Sequence, residues 1–234
     1  ELNGAPQNAA LLLSPGLKVV HAWNLDEIAV DGQEPRPPYE KFVHGIELLP
    51  DGSLIFTFDG AISLQRIDAC GARLWAKAGI FHHAVTLDRD RQTVWALEGQ
   101  RALMEIAVAD GTTVRQIDRE DVIAAKPGID PLELRRMHPS DLNVNSRNTD
   151  GKWLPGRFHL NDIDPLPAAL APAFPGFEAG DLLVSSRSLN LVFVLDPDTL
   201  AIKWWRSGAV QRQHDPDWLA SGEILIFKNR MSRD

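Results

Sequence analysis

Four histidines open four copies of one short pattern, in which a strand-like run follows each imidazole. The copies begin at His44, His83, His159 and His214. Because equivalent positions of a repeat occupy equivalent places in a fold, a radial repeat would bring four imidazoles toward one axis. Imidazole can act as a base, a nucleophile or a metal ligand near neutral pH. The repeat therefore predicts a reactive cluster, although any single histidine could instead be a hydrogen-bonded structural residue.

Polar side chains recur at the end of the second strand of each copy. The residues at or just beyond these ends are Asp59, Glu98, Arg187 and Asn229. In an antiparallel pair the start of the first strand and the end of the second lie side by side. We therefore expect His44 and Asn229 to contact a substrate at this opening, and Arg187 to bind an anion through its planar fork of donors. Asn161 is either a turn-stabilising residue or a further substrate contact.

The other three histidines fall outside this register. His82 has the opposite strand parity to His83, so we expect it to face away from the cluster. His21 and His138 match no position of the repeat and are expected to be structural.

The spacing of the histidines does not favour a metal centre. Zinc sites usually add cysteine or carboxylate ligands at short spacing, such as His-x-x-x-His, and the chain has no such motif. A glycine-rich phosphate loop and a Gly-x-Ser-x-Gly elbow are also absent. We predict no metal, while four histidines about one axis leave metal capture open as an alternative.

The residues that follow each histidine in the sequence predict short strands, four in each of the first three copies and two in the last. The strands are separated by turn dipeptides such as Asp51-Gly52 and Asp110-Gly111. The predicted strands are 43–49, 53–58, 62–68 and 73–77, then 84–87, 93–97, 103–108 and 113–117, then 159–163, 181–185, 191–195 and 201–205, and finally 215–219 and 223–227. A strand-like run at 17–24 precedes them, after a polar and flexible first stretch at 1–10. Four antiparallel strands repeated about every 40–50 residues are typical of a β-propeller blade.

The predicted fold is an all-β propeller of four-stranded antiparallel blades with short helical insertions. The insertions are 119–157, between blades, with a helical pattern at 131–137, and 165–180, inside the third blade. About four blades are present and the last stops after its second strand. We expect residues 1–234 to form one propeller domain, incomplete at one or both ends, within a six-bladed propeller. Alternatively, the first and last segments complete one blade together.

Composition narrows the classes of partner. The 234 residues carry a formal net charge of −8 without a basic patch, which argues against nucleic acid. The single cysteine, Cys70, excludes an internal disulfide and is expected in a turn. No apolar run approaches the ~18 residues of a membrane span, and no signal peptide is visible at Glu1. The oligomeric state is not predictable from the sequence.

Several short motifs resemble the bacterial arylsulfotransferase family of β-propellers. They are Phe158-His159-Leu-Asn161-Asp, Ser185-Ser-Arg187, and Gln213-His214-Asp215 followed by Gly222 to Asn229. Val19 to Trp23 and Phe81-His82-His83 are also similar to that family. The resemblance covers residues 17–229.

The resemblance implies sulfuryl transfer without a nucleotide sulfate donor and without a cofactor. In the family, a phenolic sulfate ester gives its sulfuryl group to a histidine, and a second phenol accepts it. His214 matches that nucleophile. The positions that hold the sulfate oxygens or assist the leaving phenolate are matched by His83, His159, Asn161 and Arg187. The family is exported, so the resemblance implies a periplasmic or secreted protein with small-molecule donor and acceptor.

Two other functions remain open from the sequence. The same opening could hold an anion or a partner protein without catalysis. Alternatively, water could replace the acceptor phenol, which would make the protein a hydrolase of sulfate or phosphate esters.

Overall fold

The computed structural model describes residues 8–34, 42–59, 62–99, 101–125, 158–208 and 210–229. Within them the chain forms sixteen β-strands and one α-helix, α1 (Arg119–Ala124). The strands are β1 (Asn8–Leu13), β2 (Val19–Leu25), β3 (Val43–Leu48), β4 (Leu54–Phe58), β5 (Ser63–Ile67), β6 (Arg73–Ala78), β7 (Phe81–Asp88), β8 (Thr93–Glu98), β9 (Ala102–Ala107), β10 (Thr113–Asp118), β11 (Leu160–Pro165), β12 (Leu182–Ser186), β13 (Leu191–Leu195), β14 (Ile202–Ser207), β15 (Gln213–Trp218) and β16 (Ile224–Lys228).

The strands pair with their neighbours in chain order, as blades of a β-propeller do. Sheets β3–β6, β7–β10 and β11–β14 have four strands each, and β1–β2 and β15–β16 have two. The pairing is antiparallel. This confirms the predicted all-β fold of four-stranded antiparallel blades. The number of blades in a whole propeller, and a single domain incomplete at its ends, stay predictions.

The middle strands of the blades carry the core. Every residue of β4, β5, β12 and β13 is buried. Strand β13 is a continuous apolar run, as is typical of a strand covered on both faces, whereas β5 also buries Ser63, Gln65 and Arg66. The outer strands β6 and β14 keep exposed residues.

The chain divides into two compact units. Unit 1 comprises Glu1–Leu87, Arg91–Gly99 and Met104–Arg115, and unit 2 comprises Asp88–Asp90, Gln100–Leu103 and Gln116–Asp234. One apolar cluster in unit 1 contains Trp23, Leu25, Leu54, Phe56, Phe58 and Ile67. One in unit 2 contains Leu166, Phe174, Leu183, Val192, Val194, Val210 and Trp218.

A tryptophan links two blades within unit 1. Trp75 on β6 donates its indole N–H to the carbonyl of Val108 at 2.8 Å. Its ring packs on Gly111, where an added Cβ would lie 2.9 Å from the ring. Gly111 also has a φ of 75°, so the turn needs glycine for both conformation and space.

The structure corrects one expectation and refines the insertions. Residues 8–10, expected to be flexible with the rest of 1–10, belong to strand β1, which begins at Asn8 and pairs with β2. Helix α1 opens the predicted insertion at 119–157, whose remainder, with the predicted helix at 131–137 and His138, lies outside the described residues. In the insertion at 165–180, Phe174 packs on Trp218 with ring centroids 4.7 Å apart. Among the described residues, no helix has the length and apolar character that crossing a bilayer would require.

Candidate functional site

The strand starts that carry the histidines are irregular, and this irregularity aims their side chains. Pairing shifts by one residue between Val43 and Gly45, and between His214 and Pro216. His83 and His159 have φ values of 55° and 42°. Positive φ is uncommon for residues with a Cβ, and a bulge redirects the side chain beside it. Strict alternation of side chains therefore fails where the histidines lie.

Unit 1 brings His44 and His83 together. Their ring centroids are 3.7 Å apart, and His44 Nδ1 lies 3.3 Å from Asp59 Oδ1. The predicted proximity of the first strand's start to the second strand's end is thus confirmed for His44 and Asp59. Gly45 permits the approach, because a Cβ there would lie 1.9 Å from the carbonyl oxygen of His83.

His82 does not face away, so that prediction was wrong. Its side chain is buried, and its Nδ1 lies 2.7 Å from Nδ1 of His83. Its Nε2 bonds to the carbonyl oxygen of Gly99. Burial lowers the pKa of His82, as does the nearby charge of His44, while the Gly99 bond and Asp59 oppose that change. The parity argument failed because the positive φ of His83 breaks the alternation between neighbours.

In unit 2, His214 lies beside Asn229 as the sequence predicts. His214 starts β15 and pairs with Phe227 of β16. Its Nδ1 lies 3.1 Å from the carbonyl oxygen of Arg212 and 3.1 Å from Nδ2 of Asn229. A carbonyl only accepts hydrogen bonds, so Nδ1 carries the proton and Nε2 keeps a lone pair. If the Asn229 side-chain amide is flipped, its oxygen takes the place of Nδ2 and accepts a hydrogen bond from the same Nδ1–H.

Arg187 lies next to His159 in unit 2. It directly follows β12, and its backbone N–H donates to the carbonyl oxygen of His159 at 3.0 Å. Its half-buried guanidinium forms no ion pair within the described part of unit 2. An arginine without a carboxylate partner keeps its donors available for an anion.

A buried amide cluster beneath His214 was missed from the sequence. Gln213 is fully buried, and its Nε2 lies within 3.1 Å of acceptors on Ser185, Ser186 and Leu191. Nδ2 of Asn161 donates to the Gln213 carbonyl at 2.7 Å, which joins β11 to β15. Gln213 belongs to the motif Gln213-His214-Asp215, but glutamine is a polar residue, so nothing in the sequence indicated a buried side chain there.

Acidic side chains accompany these strands in unit 2. Burial raises the pKa of Asp162 well above its ordinary range, and the charges of Asp164 and Asp215 raise it further. Burial and the charge of Asp215 also raise the pKa of Asp217. A neutral Asp162 lessens the negative charge that an anionic ligand would meet along β11.

The sequence matches the family described as arylsulfotransferase (ASST) over residues 45–233. The chain belongs to the arylsulfotransferase family. This confirms the resemblance noted from the sequence. The matched range contains His83, His159 and His214 and begins one residue after His44. No curated protein matches the chain.

Among solved structures, the chain is similar to a Bacteroides caccae protein of unknown function. The TM-score is 0.54 at 11% identity, over 95% of this chain and 65% of that one. This likeness concerns the fold alone, and the chain spans 65% of that protein's length. BamB from Moraxella catarrhalis gives a TM-score of 0.42 at 13% identity, over 87% of this chain and 44% of BamB. Catalytically inactive virginiamycin B lyase from Staphylococcus aureus, with quinupristin, gives 0.45 at 13% identity, over 82% and 57%.

Proposed function

We propose that the protein transfers a sulfuryl group from a phenolic sulfate ester to a phenol, through a sulfohistidine on His214. The observation that supports this role most directly is the Arg212 carbonyl at 3.1 Å from Nδ1 of His214. It keeps the ring in the tautomer whose Nε2 lone pair can attack. Family membership supplies the reaction class.

In the first half-reaction, the Nε2 lone pair of His214 attacks sulfur and an N–S bond forms. The bond from sulfur to the aryl oxygen breaks, and its electron pair leaves with the phenolate. In the second half-reaction, an acceptor phenol attacks the sulfur while its proton passes to a base. The N–S bond then breaks and its electron pair returns to Nε2. Throughout, the Nδ1–H of His214 donates to the Arg212 carbonyl, which stabilises the charged ring of the intermediate.

Arg187 is proposed to stabilise the sulfuryl group during transfer. Negative charge on the sulfur-bound oxygens develops as the group moves, and fixed donors lower the energy of that state. Arg187 has no carboxylate partner within the described part of unit 2, which supports this role. By resemblance, His83, His159 and Asn161 hold sulfate oxygens or assist the leaving phenolate, and His44 and Asn229 are proposed substrate contacts.

The proposed reaction uses no nucleotide sulfate donor, no cofactor and no metal. Donor and acceptor are small phenolic molecules, and the proposed location is the periplasm or the cell exterior. Transfer is therefore expected to survive dialysis against a chelator. Loss of activity on chelation, restored by added zinc, would contradict the metal-free reaction.

Mass spectrometry after incubation with p-nitrophenyl sulfate tests the nucleophile. The wild-type protein should gain one sulfuryl group on His214 and pass it to added phenol. His214→Ala should lose both the label and nitrophenol release, because no other lone pair replaces Nε2. His21→Asn is the matched control, since His21 bonds to the Ala69 carbonyl at 2.6 Å in unit 1.

The alternatives give different outcomes in the same assay. Nitrophenol release that does not depend on added phenol would favour a hydrolase. Binding of the sulfate ester without release would favour a binding module. Undiminished transfer by His214→Ala would end the proposal.

A further inference from the structure

We propose that His82 is a positioning residue that sets the tautomer of His83, so that the exchangeable proton of His83 lies on Nε2. This inference rests on the proposed function, in which His83 assists the leaving phenolate. It concerns contacts within unit 1. His82 was expected to face away, and no role follows for it from the repeat.

The first step is to establish which ring nitrogen of His82 carries the hydrogen. The side chain is 7% exposed, and its Nε2 bonds to the Gly99 carbonyl oxygen. A carbonyl oxygen has no proton to give, so Nε2 of His82 carries the hydrogen. Burial favours the neutral ring, which has only one N–H. Nδ1 of His82 therefore presents a lone pair.

The second step is that the lone pair on Nδ1 of His82 determines which nitrogen of His83 carries the hydrogen. The two Nδ1 atoms lie 2.7 Å apart, a distance at which one nitrogen must donate to the other. Because Nδ1 of His82 is an acceptor, Nδ1 of His83 is the donor. Neutral His83 then has its proton on Nδ1, and protonated His83 has its second proton on Nε2.

The surroundings hold His83 in this arrangement. Its ring lies against that of His44 at a centroid separation of 3.7 Å and an interplanar angle of 44°. The titratable groups beside His82 include His44, His83 and Asp59; the charge of His44 lowers the pKa of His82 and that of Asp59 raises it. Gly45 leaves room for the His83 carbonyl, because a Cβ there would lie 1.9 Å from the carbonyl oxygen.

The chemical consequence concerns the proton that the leaving oxygen needs. Protonated His83 gives its Nε2 proton to the phenolate oxygen, so that an O–H bond forms as the N–H bond breaks. The neutral ring left behind is the Nδ1–H tautomer, whose proton His82 accepts. In the return step, Nε2 takes a proton from the acceptor phenol. His82 thus stabilises the neutral state of His83 without touching the substrate.

Nitrogen chemical shifts measured by NMR test the tautomer directly. In the wild-type protein at the pH where His83 is neutral, its Nδ1 should be protonated and its Nε2 bare, with signals assigned by their loss in His83→Ala. His82→Phe keeps ring bulk but offers no acceptor, so the proton of His83 should redistribute to Nε2. His82→Asn keeps an acceptor oxygen near the position of Nδ1 and should restore much of the wild-type pattern. An unchanged tautomer in His82→Phe would overturn the inference.

Kinetics with two donors separate positioning from a structural role. For phenyl sulfate, whose leaving group needs a proton, His82→Phe should lower kcat/KM by about tenfold or more. For p-nitrophenyl sulfate, whose leaving group is stable as an anion, the loss should be small, and His82→Asn should recover activity toward phenyl sulfate. Equal losses with both donors would overturn the inference. If the wild-type protein transfers no sulfuryl group, the proposed function fails, while the nitrogen shifts still decide the role of His82.

Discussion

Main-chain carbonyls determine which nitrogen of two buried or half-buried histidines carries a proton. The Arg212 carbonyl faces Nδ1 of His214, and the Gly99 carbonyl faces Nε2 of His82. Because a carbonyl oxygen only accepts, each contact selects one neutral tautomer. For His214 this leaves the lone pair on Nε2, the nitrogen that we propose as the nucleophile. For His83, which follows His82, it supports the proposal that Nε2 is the nitrogen that exchanges a proton.

At the same scale, Arg187 provides a test of anion stabilisation. Arg187→Ala should lower kcat/KM for an aryl sulfate by about 100-fold, the usual effect of removing one donor from a developing anion. Arg187→Lys should recover only part of that loss, because an ammonium lacks the planar fork of donors. Steady-state kinetics of both variants measure the effect.

Arg206→Ala is the matched control, since Arg206 is an exposed arginine of the same unit. Its kcat/KM should equal that of the wild-type protein. Equal activity of Arg187→Ala and Arg206→Ala would remove Arg187 from the proposed reaction.

At the scale of elements, periodicity predicted the strands of the blades well, but it did not predict the direction of the side chains at the histidines. Strand β13 occupies the predicted range 191–195, because its apolar run has a turn on each side. The positive φ values of His83 and His159 were not predictable, since neither position carries a glycine that would signal them. The parity error at His82 follows from the positive φ of His83. Burial of Gln213 also has no sequence signal of its own.

Gln213 gives a prediction about how strand β15 is held. Gln213→Leu would leave the acceptors on Ser186 and Leu191 without their buried donor. We expect a loss of about 2–4 kcal/mol in the free energy of unfolding, the cost of leaving two buried acceptors unpaired. Urea unfolding followed by tryptophan fluorescence measures it.

Gln211→Leu is the control, because Gln211 lies two residues earlier and is exposed. It should change the free energy of unfolding by no more than about 0.5 kcal/mol. In Gln213→Leu, transfer activity should also fall, since β15 carries His214. A variant as stable as the wild-type protein would show that the amide cluster does not hold the strand.

At the scale of the whole molecule, the repeat predicted the blades because each blade has its own histidine, strands and turns. The family assignment agrees with that pattern. The convergence of four imidazoles on one axis stays a prediction of the repeat. The net charge of −8 makes a cation such as Arg187, which lies next to His159, important, because an anionic donor approaches a negative protein.

The dependence of stability on pH tests the two kinds of carboxyl group in this acidic molecule. Burial, with the charges of Asp164 and Asp215, raises the pKa of Asp162 well above its ordinary 3.8. A raised folded-state pKa favours the protonated form, so this contribution to stability is complete below pH 3.8 and is lost as pH rises through the folded pKa. Asp162→Asn, which stays neutral, should therefore gain stability over the wild-type protein as pH rises.

Asp51 should show the opposite sign. Hydrogen bonds from Ser53 and the charge of Arg66 hold the pKa of Asp51 below 3.8, despite some desolvation. Its contribution is therefore present above pH 3.8 and is lost as pH falls through the lower folded value. Urea unfolding of Asp162→Asn and Asp51→Asn between acid and neutral pH should give differences from the wild-type protein that diverge with rising pH, positive for Asp162→Asn and negative for Asp51→Asn. Differences independent of pH would mean that the burial of Asp162 and the Ser53 bonds of Asp51 act through packing rather than through charge.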